Sequence, residues 1–276
     1  MQASRIVAPE PGTGRRLRLL SYNIQVGIAA RRARDYVTNT WRHVLPHAGR
    51  FENLDRIAEL MHGFDIVAIQ EADAGSVRSG HINLVQYLAE RAHFPYWHLQ
   101  TNRNLGRFAR HSNGLLSRLP TRRVVDHKLP GIIPGRGAIQ AFYGDGDSPL
   151  VIIVAHLALS KRARADQLDY LANLVQHHRH VVVMGDMNTS ESALLERFAL
   201  RDVTLSPSLT RQATFPSWRP SMQLDHILVS PGIRVHSLRA LPMNYSDHLP
   251  LAMDIELPDE LHLGHVPALS AVGIHR

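Results

Sequence analysis

The chain has 276 residues, with 31 Lys or Arg against 24 Asp or Glu, and a formal net charge of +7 at pH 7. Hydrophobic residues make up 44% and charged residues 20% of the chain, which is typical of a folded globular protein and excludes a disordered or collagen-like one. Cysteine is absent, which excludes disulfides, thiolate metal sites and a cysteine nucleophile. Any metal must therefore be held by oxygen and nitrogen ligands.

Arginine supplies nearly all of the positive charge, since Lys128 and Lys161 are the only lysines. Two explanations of this excess of arginine are equally good. One is coding bias in a GC-rich genome, and the other is attraction to a polyanion, either nucleic acid or an anionic membrane surface. No apolar stretch of the kind found in signal peptides follows the early arginines, and the apolar run Val151–Ala155 is far shorter than the roughly 20 residues of a membrane span. We therefore expect a cytoplasmic protein without a transmembrane segment.

The first elements alternate between strand and helix. Residues 1–15 are rich in Pro and Gly without periodicity, and they predict a flexible leader. Apolar residues at helical spacing predict an amphipathic helix over Arg50–His62, which Gly63 ends. The apolar runs Leu17–Tyr22 and Asp65–Gln70, on either side of this helix, predict buried strands.

Short apolar strands and interspersed helices continue through the rest of the chain. The predicted helices are Ile82–Ala92, Lys161–His177 and Glu191–Ala199. The predicted strands are Tyr96–Gln100, Asn113–Ser117, Arg122–Lys128, Gly137–Tyr143, Leu150–Ala155, His180–Met184, Leu224–Val229 and Leu249–Ile255. The turn Gly144–Asp147 favours a hairpin. No linker divides the chain, so the pattern predicts one layered α/β domain with mixed sheets, followed by a mobile tail over residues 258–276.

Polar side chains occur where the predicted strands begin or end. They are Asn23, Glu71, His156, Asp186, Asn188, Asp225, Asp247 and His248. One such residue is more often part of a turn or a hydrogen-bonded structural group than of a functional site. That many polar side chains at the ends of buried strands need to be solvated, hydrogen-bonded to a partner or bound to a metal ion. Acids supply the oxygen ligands of a hard cation, and histidines suit proton transfer.

Seven sequence segments carry a resemblance to a known family. The segments SYNIQ, IQEAD, GLLSRLP, AHLALS, GDMN, LDHILVS and SDHLPL occur in this order. Together they resemble the endonuclease/exonuclease/phosphatase superfamily over about residues 16–257. The resemblance implies a four-layer α/β sandwich with two central mixed β-sheets flanked by helices and a site on one edge. It also implies divalent-metal-dependent hydrolysis of a phosphoester bond.

The resemblance also implies a metal site. Asn23, Glu71 and Asp247 resemble the metal-site residues of the family, with Glu71 as the principal ligand. The expected cofactor is Mg²⁺ or Mn²⁺, which would neutralise charge on the phosphate and stabilise the leaving oxygen.

The same resemblance assigns the catalytic residues. His156 resembles a histidine that contacts the phosphate, and Asp186 and Asn188 resemble the pair that handles the nucleophilic water. His248 resembles the histidine that faces the scissile phosphate, and Asp225 resembles the aspartate that orients it. A buried carboxylate beside His248 would raise the pKa of that histidine and hold its ring.

Arg136 is a candidate substrate-binding residue outside these motifs. It precedes a predicted strand whose first residues, Gly137 and Ala138, are small enough to permit close approach. An arginine there could contact a phosphate oxygen, whereas the alternative is an ordinary surface arginine.

The substrate is the most open part of the prediction. Arginines at positions 31, 32, 34, 103, 107 and 110 favour an extended anionic backbone, either DNA or RNA, if they share one face. The segment 205–222 adds Phe215, Trp218 and Arg219 as an aromatic and cationic rim. The alternatives are a phospholipid head group or small phosphoester, and a catalytically silent binding module. Retention of the full set of acids, amides and histidines argues against a silent module.

Overall fold

Two β-sheets pack against each other, with helices outside both. The computed structural model describes residues 14–28, 48–132, 135–208 and 210–263, and every structural statement below refers to these ranges. The strands are β1 (Arg16–Asn23), β2 (Ile66–Asp73), β3 (Tyr96–Asn104), β4 (Arg110–Ser117), β5 (Thr121–Lys128), β6 (Gly137–Tyr143), β7 (Leu150–His156), β8 (His180–Asp186), β9 (Asp225–Val229), β10 (Arg234–Ala240) and β11 (Leu251–Glu256). The helices are α1 (Ala48–Met61), α2 (Leu84–Arg91), α3 (Lys161–Val175) and α4 (Glu191–Ala199).

Both sheets are mixed. The six-stranded sheet has the order β10-β11-β1-β2-β4-β3, and the five-stranded sheet has the order β5-β6-β7-β8-β9. Only the β1–β2 and β7–β8 pairs are parallel among these described strands. Parallel neighbours need a long crossover, and the segments that contain α1 and α3 provide one for each pair.

Apolar side chains form three layers of core. The central layer lies between the sheets and includes Leu19 and Ile66 from one sheet with Ile152 and Met184 from the other. Alternating strand residues point to the opposite faces, where the helices cover them. Helices α1 and α2 pack on the six-stranded sheet, and α3 and α4 pack on the five-stranded sheet. The predicted four-layer sandwich is confirmed. None of the helices in the described ranges is long and apolar enough to cross a membrane.

The sequence-based prediction omitted one strand, β10, and made the strands of the β3–β4 hairpin too short. Strand β10 was not predicted because it lies at a sheet edge and alternates polar residues with few apolar ones. Strands β3 and β4 run several residues beyond the predicted Tyr96–Gln100 and Asn113–Ser117, in a polar hairpin that lacks an apolar signature. The predicted leader lies outside the described residues apart from positions 14 and 15, as do residues 264–276 of the predicted tail. Within that tail, Leu261 and Leu263 are buried in the central core.

The strand register brings the polar residues to one edge. His156 at the end of β7 is opposite Asp186 at the end of β8, and Asp186 is opposite Asp225 at the start of β9. Asn23 ends β1 of the facing sheet. Residues 247 and 248 directly precede β11, which runs antiparallel to β1. Residues that are far apart in the sequence therefore form a single cluster at this edge.

Candidate active site

His248 and Asp225 form a buried pair. Nδ1 of His248 lies 2.8 Å from Oδ2 of Asp225, and the Thr214 hydroxyl donates to the same oxygen at 2.5 Å. Asp225 is fully buried. Burial alone would lower the pKa of His248, but the charges of Asp225 and Asp186 outweigh it and raise that pKa to about 10. His248 is therefore a cation at neutral pH, with Nε2 as its remaining donor.

Asp186 lies at the centre of the cluster. Its Oδ2 accepts a hydrogen bond from Nδ2 of Asn23 at 3.1 Å and lies 3.5 Å from Nε2 of His156 and 3.9 Å from Nε2 of His248. The backbone N–H of Asn188 donates to Oδ1 at 3.0 Å. Burial raises the pKa of Asp186 to about 7, although the charge of His248 opposes the shift.

The backbone around Asp186 is held in unusual conformations. Gly185 has φ +143°, and a Cβ at this position would collide with the carbonyl oxygen of Ala155 on the neighbouring strand. Asn188 has φ +51°, and its side-chain amide donates to the Leu157 carbonyl at 2.9 Å. Asparagine tolerates this left-handed region better than most residues. In the GDMN segment, any residue other than glycine at position 185 would therefore clash. Asn188 is held by hydrogen bonds of both its backbone and its side chain.

His156 and Arg136 form a second contact at the site. Arg136 donates from its guanidinium to Nε2 of His156, so this nitrogen acts as an acceptor. Burial lowers the pKa of His156 well below its usual value, and the neighbouring charge of Arg136 lowers it further. His156 is therefore neutral, in contrast to His248. The predicted substrate-binding residue Arg136 lies in the cluster and is half-buried.

Glu71 and Asp247 are the predicted acidic ligands. Glu71 has φ +55° at an irregularity in the β2–β4 pairing, and its Oε1 lies 3.8 Å from Nε2 of His156. Asp247 is buried and accepts a hydrogen bond from the Ser246 hydroxyl at 3.1 Å. Burial raises the pKa of Asp247 to about 6, and the nearby charge of Glu71 adds to the increase. The two carboxylates therefore repel each other across the site.

The donor set fits a divalent cation. The carboxylates of Glu71, Asp186, Asp225 and Asp247 outnumber the cations His248 and Arg136 within the described cluster, which leaves an excess of negative charge. Ligand atoms of Asp186, Asp225 and His248 lie within 4.8 Å of one another. In that group, however, the His248–Asp225 hydrogen bond already occupies one nitrogen and one oxygen. The oxygen donors of Glu71 and Asp247 better match the preference of Mg²⁺ for oxygen.

Two residues of the site were not predicted. Thr214 bonds to Asp225 across 11 residues of chain, and no motif marks it. His111 lies on β4 next to Glu71 and Arg103, and burial lowers its pKa, with the charge of Arg78 adding to the decrease. His111 is a polar residue near the start of a strand, so the signal that identified the other residues was present. Phe215, named as part of the predicted rim, lies with its ring 4.8 Å from the His248 ring.

A cavity of about 830 Å³ adjoins the cluster on the side of Glu71, Arg136 and His156. One wall is the β3–β4 hairpin, with Asn102, Arg103 and His111. Another part of the lining is the start of α3, with Ser160 and Arg162. The site therefore combines a buried polar cluster with a recess that is lined in part by Arg103, Arg136 and Arg162 and is large enough for a nucleotide-sized group.

Comparison with known proteins identifies the family. A profile described as the Endonuclease/Exonuclease/phosphatase family matches residues 20–248. The chain belongs to this family. Members of the endonuclease/exonuclease/phosphatase family are hydrolases that act on phosphoesters, and the resemblance found in the seven sequence segments is thereby confirmed. No curated protein sequence matches the chain.

Solved structures of the endonuclease/exonuclease/phosphatase family share the fold. One from Beutenbergia cavernae DSM 12333 aligns with a TM-score of 0.66 and 20% identity, over 88% of this chain and 72% of that one. A family protein from Bacteroides thetaiotaomicron aligns with a TM-score of 0.67 and 16% identity, over 92% and 99% of the chains. Sphingomyelinase C from Streptomyces griseocarneus aligns with a TM-score of 0.60 and 16% identity, over 87% and 99%.

Proposed function

We propose that the protein is a Mg²⁺- or Mn²⁺-dependent phosphodiesterase that acts on DNA or RNA. The observation that carries the hydrolytic part is the buried cluster around Asp186, where a charged histidine, a neutral histidine and an amide surround one carboxylate. Such a site can position a water, bind phosphate oxygens and move a proton within a few ångströms.

Asp186 is proposed to position and deprotonate the attacking water. Its pKa of about 7 is close to neutral pH, which suits a general base because the ionised form is populated and still binds a proton readily. Asn188 holds its side-chain amide oxygen free of the Leu157 contact, so that oxygen can accept a hydrogen bond from the same water.

His248 and Arg136 are proposed to bind the phosphate. Protonated His248 can donate from Nε2 to a non-bridging oxygen, and its charge offsets the negative charge that grows there during the reaction. Neutral His156 keeps Arg136 oriented through the guanidinium contact. A Mg²⁺ or Mn²⁺ ion held by Glu71 and Asp247, with Asn23 nearby, would supply further charge neutralisation.

The nucleic-acid assignment is supported by the hairpin beside the cavity. Arg103 and Arg107 are exposed on it, and Phe108 on the same hairpin is 72% exposed. Arginine with an exposed aromatic ring suits phosphates and stacked bases of a single strand. Arg110 is half-buried, and positions 31, 32 and 34 lie outside the described residues, so the shared six-arginine face stays a prediction.

The test is a hydrolysis panel with the purified protein and Mg²⁺ or Mn²⁺. The substrates are single- and double-stranded DNA, RNA, phospholipid vesicles and bis(p-nitrophenyl) phosphate. We expect cleavage of DNA or RNA, its loss in EDTA, and a decrease by orders of magnitude between low and physiological salt as counterion release predicts. Full activity in EDTA after dialysis, or uncut nucleic acid at low salt, would contradict the proposal.

Exposed apolar side chains favour one second candidate, a phosphodiesterase of phospholipid head groups. Leu105, Phe108, Ile132 and Leu159 are 43%, 72%, 97% and 75% exposed, and the last two line the cavity. Such side chains could enter the interfacial region of a bilayer beside basic residues. Brisk hydrolysis of phospholipid in the same panel, with nucleic acid uncut, would select this candidate. A catalytically silent module would hydrolyse none of the substrates.

A further inference from the structure

The cavity beside the cluster is lined by Arg103 and Arg162 in addition to Arg136, which is proposed to bind the scissile phosphate. We infer that it is a subsite for a second phosphate of the substrate, bound by Arg103 and Arg162. The inference rests on the proposed phosphodiesterase function and narrows its substrate to molecules with a phosphate next to the cleaved one.

The first wall of the cavity holds Arg103 close to the catalytic cluster. Arg103 is opposite His111 in the β3–β4 register. Gly135 has φ +121°, and a Cβ there would lie 3.1 Å from Cβ of Arg103, so the arginine side chain packs directly on this backbone. The next residue is Arg136, which contacts His156. The fold thus places a second arginine next to the one proposed to bind the scissile phosphate.

The second wall is the first turn of α3. Its N-cap, Ser160, makes no side-chain capping hydrogen bond, and the first turn contains no acidic residue. Basic residues at a helix N-terminus face the positive end of the helix dipole, which is unfavourable unless an anion binds there. Ser160, Arg162 and Ala163 all line the cavity, so the first turn of α3 borders the same space as Arg103.

Within the described residues, two of the three arginines that line the cavity, Arg103 and Arg162, lack protein partners. Neither Arg103 nor Arg162 forms an ion pair or a side-chain hydrogen bond in the described part of the chain. The carboxylate of Asp166 also lines the cavity, one turn after Arg162, and lies beyond ion-pair distance from it. Three arginines, with Arg136 included, therefore line the cavity against two acids, Glu71 and Asp166.

Two buried polar atoms belong to residues of the same cavity. Ser112 and Asn113 are 2% and 1% exposed, and both line it. Ser112 Oγ and Asn113 Oδ1 have no hydrogen-bond partner in the described part of the protein. Buried polar atoms are nearly always paired with protein or bound water, so a bound water is expected to satisfy these two enclosed atoms and to link them to a polar group in the cavity. A hydroxyl and guanidinium groups together suit a phosphate and its attached sugar.

The test uses two chromogenic substrates that differ by one phosphate. They are thymidine 5′-(p-nitrophenyl phosphate) and the same compound with a 3′-phosphate, each assayed with Mg²⁺ or Mn²⁺. We expect kcat/KM to be at least about tenfold higher for the 3′-phosphorylated compound, as expected for charge-assisted hydrogen bonds. Arg103→Gln and Arg162→Gln should each reduce this ratio towards one. The control Arg122→Gln removes an exposed arginine that bonds to Gly146, and it should keep the wild-type ratio.

A binding measurement keeps the inference separate from the proposed function. By calorimetry, thymidine 3′,5′-bisphosphate should bind more tightly than thymidine 5′-phosphate, and the two arginine variants should remove the difference. Equal kcat/KM for the two chromogenic substrates together with equal affinities would overturn the inference, while hydrolysis of both would leave the proposed function standing. Hydrolysis of neither substrate with the affinity difference intact would overturn the function and keep the subsite.

The source of the second phosphate can be resolved with one more compound. A 3′-methyl phosphate carries a single charge, as an internal phosphate of a strand does. A kcat/KM as high as that of the 3′-phosphomonoester would support the inference with a nucleic-acid strand as the source. A clear preference for the monoester would support it with a small bisphosphorylated nucleotide.

Discussion

Replacing Asp225 by asparagine should make hydrolysis slow down as the pH rises above neutral, in a range where the wild-type rate does not decrease. In the wild-type protein the pKa of His248 is about 10, against an ordinary value of 6.5, because the charges of Asp225 and Asp186 outweigh burial. Each pKa unit corresponds to about 1.4 kcal/mol, so the surroundings as a whole, with burial opposing the carboxylates, favour the protonated ring by about 5 kcal/mol. Asp225 is the largest of these contributions and also accepts the 2.8 Å hydrogen bond.

The sign of the effect follows from the charge. Activity that needs protonated His248 persists in the wild type until the pH rises through about 10. Asparagine has almost the same shape and can still accept from His248, but it carries no charge, so the pKa falls back towards its ordinary value. Above the new pKa the protonated fraction decreases about tenfold per pH unit. Asp186, the proposed base, is ionised above its pKa of about 7, so the decrease is measured above that pH. We expect kcat of Asp225→Asn to fall on the order of 10²-fold over about two pH units above this range.

The assay is the pH dependence of kcat on bis(p-nitrophenyl) phosphate, with folding checked by circular dichroism at each pH. Asp126→Asn is a matched control, because it removes the charge from the exposed His98–Asp126 pair at 2.9 Å. His248→Ala should lose at least about 10²-fold at all pH values, and the double variant Asp225→Asn/His248→Ala should lose little more. A pH profile of Asp225→Asn parallel to the wild type, or additive losses in the double variant, would refute the assignment.

Three further substitutions test the proposed metal ligand Glu71, the buried carboxylate of Asp73 two residues later, and Gly185 on the strand that carries Asp186. Glu71→Gln should raise the Mg²⁺ concentration needed for half-maximal rate at least about tenfold with unchanged melting temperature, as a metal titration would show. Burial alone would raise the pKa of Asp73, but hydrogen bonds from Arg78 and the neighbouring serines lower it. Ionised Asp73 therefore stabilises the folded protein above the ordinary pKa of an aspartate, and this stabilisation is lost as the pH falls through the lowered pKa of Asp73. Asp73→Asn should reduce the free energy of unfolding by about 3 kcal/mol at pH 7 and flatten its dependence on acid, measured by urea unfolding. Gly185→Ala should destabilise by at least about 2 kcal/mol, whereas Gly146→Ala, with no atom within 4 Å of the added Cβ, should lose less; equal melting temperatures would contradict the clash.

Local patterns in the sequence determined much of this protein. The period of the apolar residues located both pairs of parallel strands and the helices that cover them, because side-chain periodicity depends on neighbours in the chain. The polar residues at strand ends followed from the same boundaries, and the ordered motifs assigned their family. The prediction that Asp225 lies next to His248 came from the family resemblance of the segments that contain them, and the 2.8 Å contact agrees with it.

Contacts between distant segments were decided only by the tertiary structure. Thr214 reaches Asp225 from a loop without periodicity, and Arg136 turns towards His156 instead of solvent. The β3–β4 hairpin extends past the core with polar residues. Its length and the cavity beside it could therefore not be predicted from apolar periodicity. The protonation states of His156 and His248 also diverge, although both are histidines at strand ends. Burial beside Arg136 disfavours charge on one ring, while burial beside two carboxylates favours it on the other, and such surroundings form only when the two sheets pack together.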